Sequence, residues 1–170
     1  TSTDSTETIL NTSITQLSTI LDISAETLYV DYISEQNSPI AKLVQQIVVT
    51  VETLTSVVNT SSVTSDNIMA SIAYTIIATS DNNETTTISF SDTDNLKNII
   101  TNIKDSGGTA VSISEEVVNN SSTFVSSVNT SISNIDTTTD SFESVFSQST
   151  QITVASNTIL SADTTDFTKS

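Results

Sequence analysis

The chain has 170 residues and a formal net charge of -16, with 20 acidic side chains set against Lys42, Lys97, Lys104 and Lys169 and with no His, Cys or Trp. That balance repels nucleic acid and anionic membrane surfaces, which reward Lys and Arg. Without Cys and His there are no disulfides, no thiolate or imidazole chemistry and no thiolate zinc site.

Ser and Thr together exceed a third of the residues, yet Ile, Val and Leu recur regularly and there are one Pro and two Gly. A disordered linker would be poor in aliphatics and rich in Pro and Gly. The length suits one helical domain over 1–170. A start at Thr1 instead of Met implies a removed leader or a longer parent chain.

In chain order, the first predicted helix spans 6–34. Leu10, Ile14, Leu17, Leu21 and Leu28 form a seam with a spacing near 3.5, widened by Ile9, Ile20 and Ile23. A second helix is expected over 39–60, with Ser38 as N-cap and Pro39 in the first turn, where a missing N–H costs nothing. Ile40, Val44, Ile47, Val51, Leu54 and Val58 step by four and three, and the period predicts that all six are largely buried. The third helix, over 66–79, starts at Ser65 or Asp66 and carries Ile68, Ile72, Ala73 and Ile76 inward.

A polar loop follows, in which "TTTISF" alternates and suits a short extended piece. A fourth helix over 94–105 is capped by Asp92 or Asp94, carries Leu96, Ile99, Ile100 and Ile103, and ends at Gly107 and Gly108. Ser112 and Glu115 make a capping box for a fifth helix over 113–135. Asp140 and Glu143 form another capping signal, after which the apolar phase shifts, so a sixth helix is expected over 140–161. The fold class is therefore all-α: an elongated bundle of five or six helices with coiled-coil-like seams.

Candidate chemistry is sparse. Glu115 and Glu116 are adjacent, diverge by about 100° on a helix, and read as favourable charge at a helix N-terminus. Asp81, Asn82, Asn83, Glu84, Asp92 and Asp94 supply oxygen ligands without EF-hand spacing, and caps and turns explain them more simply than Ca²⁺. No catalytic residue, metal or cofactor is assigned. Six Asn-X-Ser/Thr sequons, at Asn11, Asn59, Asn83, Asn119, Asn120 and Asn129, are candidates for glycosylation. Tyr29, Tyr32 and Tyr74 are candidate ligand-site residues. Phe90, Phe124, Phe142, Phe146 and Phe167 are the aromatics to follow, with Phe167 in the polar tail the candidate assembly contact.

These features resemble, in composition, the helical subunits of surface filaments such as flagellins: aliphatic seams, abundant Ser, Thr and Asn, few aromatics and no Cys. No family motif accompanies the likeness. The expectation is a non-enzymatic structural subunit of an extracellular or cell-surface assembly, a self-assembling filament carrying glycans, with copies of itself as partners and no nucleic acid or membrane insertion. The alternative is a helical ligand- or partner-binding ectodomain of a larger surface protein.

Overall fold

The structure is a computed structural model that describes residues 6–58, 62–81 and 87–162. Asn59, Asn83 and Phe167, and most of the loop considered for Ca²⁺, lie outside the described residues. The elements are α1 (Thr6–Leu21), a 3-10 helix (Ala25–Tyr29), α2 (Ser38–Val58), α3 (Ser65–Asp81), α4 (Thr93–Thr101), α5 (Glu115–Ser133) and α6 (Phe142–Ala162). The protein is an all-α bundle, and among the described residues the extended backbone amounts to one isolated antiparallel bridge, Lys104 with Ala110.

The first predicted helix stops 13 residues early, at Leu21 instead of Ser34. Asp22 takes a left-handed φ of 52°. Its N–H donates to Thr19 O, and Ile23 N–H reaches back to Ser18 O at 3.0 Å. This is a Schellman stop in which an Asp stands where Gly is usual, so composition did not flag it. The same device recurs at Gln36 (φ 52°), where Asn37 N–H donates to Tyr32 O at 2.8 Å.

All but one of the caps fall near, but not on, the expected residues. Asn37, not Ser38, caps α2, its Oδ1 accepting from Ile40 N–H at 3.1 Å. Thr64 opens α3, and Asn67 reaches back so that its Oδ1 accepts from both the N–H and the hydroxyl of Thr64. Both bonds end on the one Asn67 oxygen, so this is half of a capping box, with Asn in place of Glu. Asp92 caps α4 as expected, accepting from Asp94 N–H and Asn95 N–H at 2.9 Å. Ser114 replaces Ser112 as the cap of α5, and Ser141 replaces Asp140 for α6, accepting from Ser144 N–H. Gly107 and Gly108 do not end α4, which closes at Asn102. They form the tight turn 105–109, where Asp105 Oδ1 accepts from Gly107 N–H and Thr109 N–H and Gly108 sits at φ 82°.

α2 is the central helix and packs against α3, α5 and α6, while α4 bridges α3 and α5. Paired hydrogen bonds set the directions. Lys42 meets Ser133, and Gln46 and Thr50 meet Asn129, so α5 runs antiparallel to α2. Gln45 meets Thr153 and Glu52 meets Asn157, so α6 runs parallel to it. The core gathers Val49, Leu54, Ile68, Phe90, Leu96, Ile99, Ile100, Ile103, Val125 and Ile132. Burying each such side chain contributes about 1.5–3 kcal/mol. Ile88, from the stretch expected to be extended, is buried and tied by its N–H to Ile20 O at 2.8 Å.

The inner face of α2 is rotated from the expected one. Leu54 and Val58 are buried, but Ile40, Val44, Ile47 and Val51 are only half-buried. Gln46, Val49, Thr50, Thr53 and Val57 take the deep positions instead. Small hydroxyl residues suit that face because α5 and α6 press on it with Ser121, Ser122, Ser149, Thr153 and Ser156, all buried. Their polarity is mostly answered within their own helices. Thr50 donates to Gln46 O, Thr153 to Ser149 O and Ser156 to Thr153 O, the back-bonding typical of Ser and Thr inside helices.

Candidate functional site

Two features stand out as able to bind something. The first is a cavity of about 280 Å³ at the end of the bundle where α1 stops, α2 begins and α5 ends, walled by Leu21, Leu43, Ile88 and Phe90 and carrying Asp22, Lys42 and Gln46. The Schellman stop of α1 places Asp22 there, and the first turns of α2 place Lys42 and Gln46 one turn apart. The Lys42 ammonium donates to Ser133 O (2.6 Å) and Ile135 O (2.8 Å), closing the C-terminal end of α5. Partial burial lowers the Lys42 pKa, opposed by the nearby Asp136 carboxylate.

Gln46 is 8% exposed. Its Nε2 donates towards Asn129 O (3.0 Å), Ser133 Oγ (2.7 Å) and Ser91 Oγ (3.2 Å). A carbonyl can only accept, so the contact with Asn129 O fixes which way the amide faces. Oε1 accepts no hydrogen bond from the described residues.

The second feature is apolar. Val44, Ile47, Val48 and Val51 of α2 line a groove of about 440 Å³ with Met69 of α3 and Glu52 and Ser65 at its edge. Beyond Met69 the outer face of α3 continues with Ala70, Ala73, Tyr74 and Ile77, all exposed. Met69 is 46%, Tyr74 55% and Ile77 59% exposed. The spacing 69, 73, 77 and 70, 74 is one helical stripe, opposite the buried Ile68, Ser71, Ile72 and Thr75. α3 is thus apolar on two sides, and on the outer one Met69, Ala73 and Ile77 stay exposed while Tyr74 lies under the Lys104 ammonium.

The residues singled out from sequence are scattered. Asn11 and Asn119 are exposed and Asn120 is half-buried. Asn129 is a correction: it is 0% exposed, and its Nδ2 donates to Phe90 O (2.8 Å) and Thr50 Oγ1 (3.2 Å). A glycan on that nitrogen would have to pass through the α2–α5 contact, so Asn129 is a core residue, not an acceptor. Tyr74 lies under the Lys104 ammonium, 5.7 Å from the ring centroid, and lines a separate cavity from which Tyr29 and Tyr32 are absent. Phe90 is core, and Phe142 and Phe146 stack on each other at 5.9 Å. Glu115 and Glu116 are exposed in the first turn of α5. Among the described residues no group of three or more Asp or Glu could hold a metal ion.

Sequence reasoning missed Gln46 and Asp22. A Gln inside an aliphatic helix was the available signal for the first, and Asp22 had none, because its role follows from a left-handed turn.

α2 is long and apolar enough to cross a membrane by length and composition, with a mean hydropathy of 1.2 over its best window, and in this fold it packs between three helices. The fold places the chain in the class of all-α bundles. No protein family model, no curated protein and no solved structure matches it.

Proposed function

We propose that the protein is a structural subunit of an extracellular or cell-surface assembly, non-enzymatic, whose copies associate through the α2–α3 face. The observation that carries this is the stripe Met69, Ala73, Ile77 beside the groove of Val44, Ile47 and Val51. Contiguous exposed apolar surface of this kind marks interaction sites on proteins. The occupant is a second copy because of charge. A chain at -16 repels its own kind almost everywhere, and this face, with Glu52 and Asp66 only near its edges, is where two copies meet with little repulsion. Two copies meeting through this same face form an isologous, closed pair, and growth into a filament requires a second, heterologous contact elsewhere on the chain.

Sedimentation of the full chain over a range of concentrations, with electron microscopy of the same material, tests the proposal. Association that Met69→Glu abolishes while circular dichroism stays helical is the expected result. A monomer at every concentration overturns it. A second reading, a ligand-binding ectodomain, is favoured by the Lys42–Gln46 cavity.

A further inference from the structure

From the cavity between the ends of α1, α2 and α5 we infer a binding site for a small zwitterion of the α-amino-acid type with an aliphatic side chain. This inference is independent of the assembly proposal, since none of its residues lies on the α2–α3 face.

Three kinds of group converge there. Lys42 presents an ammonium with two of its three protons directed to Ser133 O and Ile135 O, leaving one for an incoming carboxylate. Asp22 presents a carboxylate on the cavity wall, and no described donor occupies it. Gln46 presents Oε1, an acceptor on a side chain that is more than nine-tenths buried and whose amide orientation is already fixed from the other side. An ammonium group is the donor that suits both Asp22 and Oε1. Leu21, Leu43 and Ile88 supply hydrocarbon on part of the remaining wall, which they share with the hydroxyls of Thr87, Ser89, Ser133 and Thr137.

The size fits. A sphere of about 280 Å³ is about 8 Å across, at the small end for ligand pockets. The whole-molecule charge selects for neutrality. At -16 the protein repels a simple carboxylate before it arrives, whereas a zwitterion brings no net charge. Asp136 lies near enough to act on the Lys42 charge but forms no ion pair with it, its oxygens accepting instead from the N–H and hydroxyl of Thr138 and the hydroxyl of Thr139.

The test uses the full-length chain and three probes: L-leucine, L-leucinamide without the carboxylate, and 4-methylpentanoate without the ammonium. Binding is read by calorimetry and by amide shifts at Asp22, Ser89 and Ser133. The expected result is saturable one-to-one binding of leucine, weaker by at least about tenfold for each analogue. Asp22→Asn should weaken leucine by a similar factor while leaving 4-methylpentanoate unchanged. Asp22 is exposed, so this variant folds. Lys42→Gln risks loosening the end of α5 and is read only alongside its melting curve. No leucine binding at millimolar concentrations, shifts confined to other residues, or equal binding of leucine and 4-methylpentanoate would each overturn the inference.

Discussion

Asn129 shows how a polar residue becomes structural. Its side-chain amide joins three elements by donating to Thr50 on α2 and to the carbonyl of Phe90 ahead of α4, while its backbone carbonyl accepts from Gln46. Asn129→Asp replaces a buried donor with a charge, which should destabilise the fold by about 3 kcal/mol. A urea midpoint unchanged from the parent would contradict this placement. The same burial separates the sequons. In material made by a glycosylating host, peptide mass mapping should find glycan at Asn11 or Asn119 and bare peptide at Asn129. Asp136, in contrast, is exposed and locally bonded. The hydroxyls of Thr139 and Thr138 and the Thr138 N–H hold its carboxyl well below the usual carboxylate range. A depressed folded pKa means that the stabilisation is fully present above the unfolded value of about 3.9 and is lost as pH falls through the folded one. Carboxyl-carbon NMR should show Asp136 titrating below the usual aspartate range, and Thr139→Val should move it back towards that range.

At the scale of elements, the helices were legible and their phases were not. Periodic aliphatics and cap residues place α2 to α6 within a few residues, because both signals are local. What failed was the assumption that the aliphatic stripe is the deep one. In α2 the deep stripe runs through Gln46, Thr50 and Thr53, which sequence reads as surface. Gln46 and Thr50 are buried because Asn129 and Ser133 of α5 meet them with hydrogen bonds, and the hydroxyl of Thr50, like that of Thr153 on α6, is also satisfied within its own helix. This accounts for part of the Ser and Thr excess without any glycan: in "VVNNSSTFVSSVNTSISNID", Ser121 and Ser122 are packing residues. The stops were illegible for a different reason. Asp22 and Gln36 adopt left-handed backbone that Gly adopts freely. Gln36→Gly should therefore raise stability by about 0.5–1 kcal/mol, despite losing a 3.3 Å contact with Glu143 at the surface. A fall in the urea midpoint would mean that this contact, and not the backbone, governs the turn.

At the scale of the whole molecule, two tendencies oppose each other. The net charge of -16 drives copies apart, and in the proposed assembly the apolar face of α2 and α3, with Glu52 and Asp66 at its edges, draws them together. Only the second is short-ranged and insensitive to salt. The Debye length falls from about 10 Å at 0.1 M to about 3 Å at 1 M, so added salt removes the repulsion and leaves apolar contact intact. Self-association should therefore strengthen from low to high NaCl and weaken on cooling, as hydrophobic burial does. Ile77→Glu should reverse the outcome at every salt concentration, because it puts a desolvated charge on the stripe. Ser131→Glu, at an exposed position on α5, adds the same charge elsewhere and should shift the curve only slightly. Sedimentation velocity of the three proteins across the salt series separates the two tendencies. Association that weakens with salt would mean that copies meet through ion pairs, with one of the few lysines at the contact, and the α2–α3 face would lose its role.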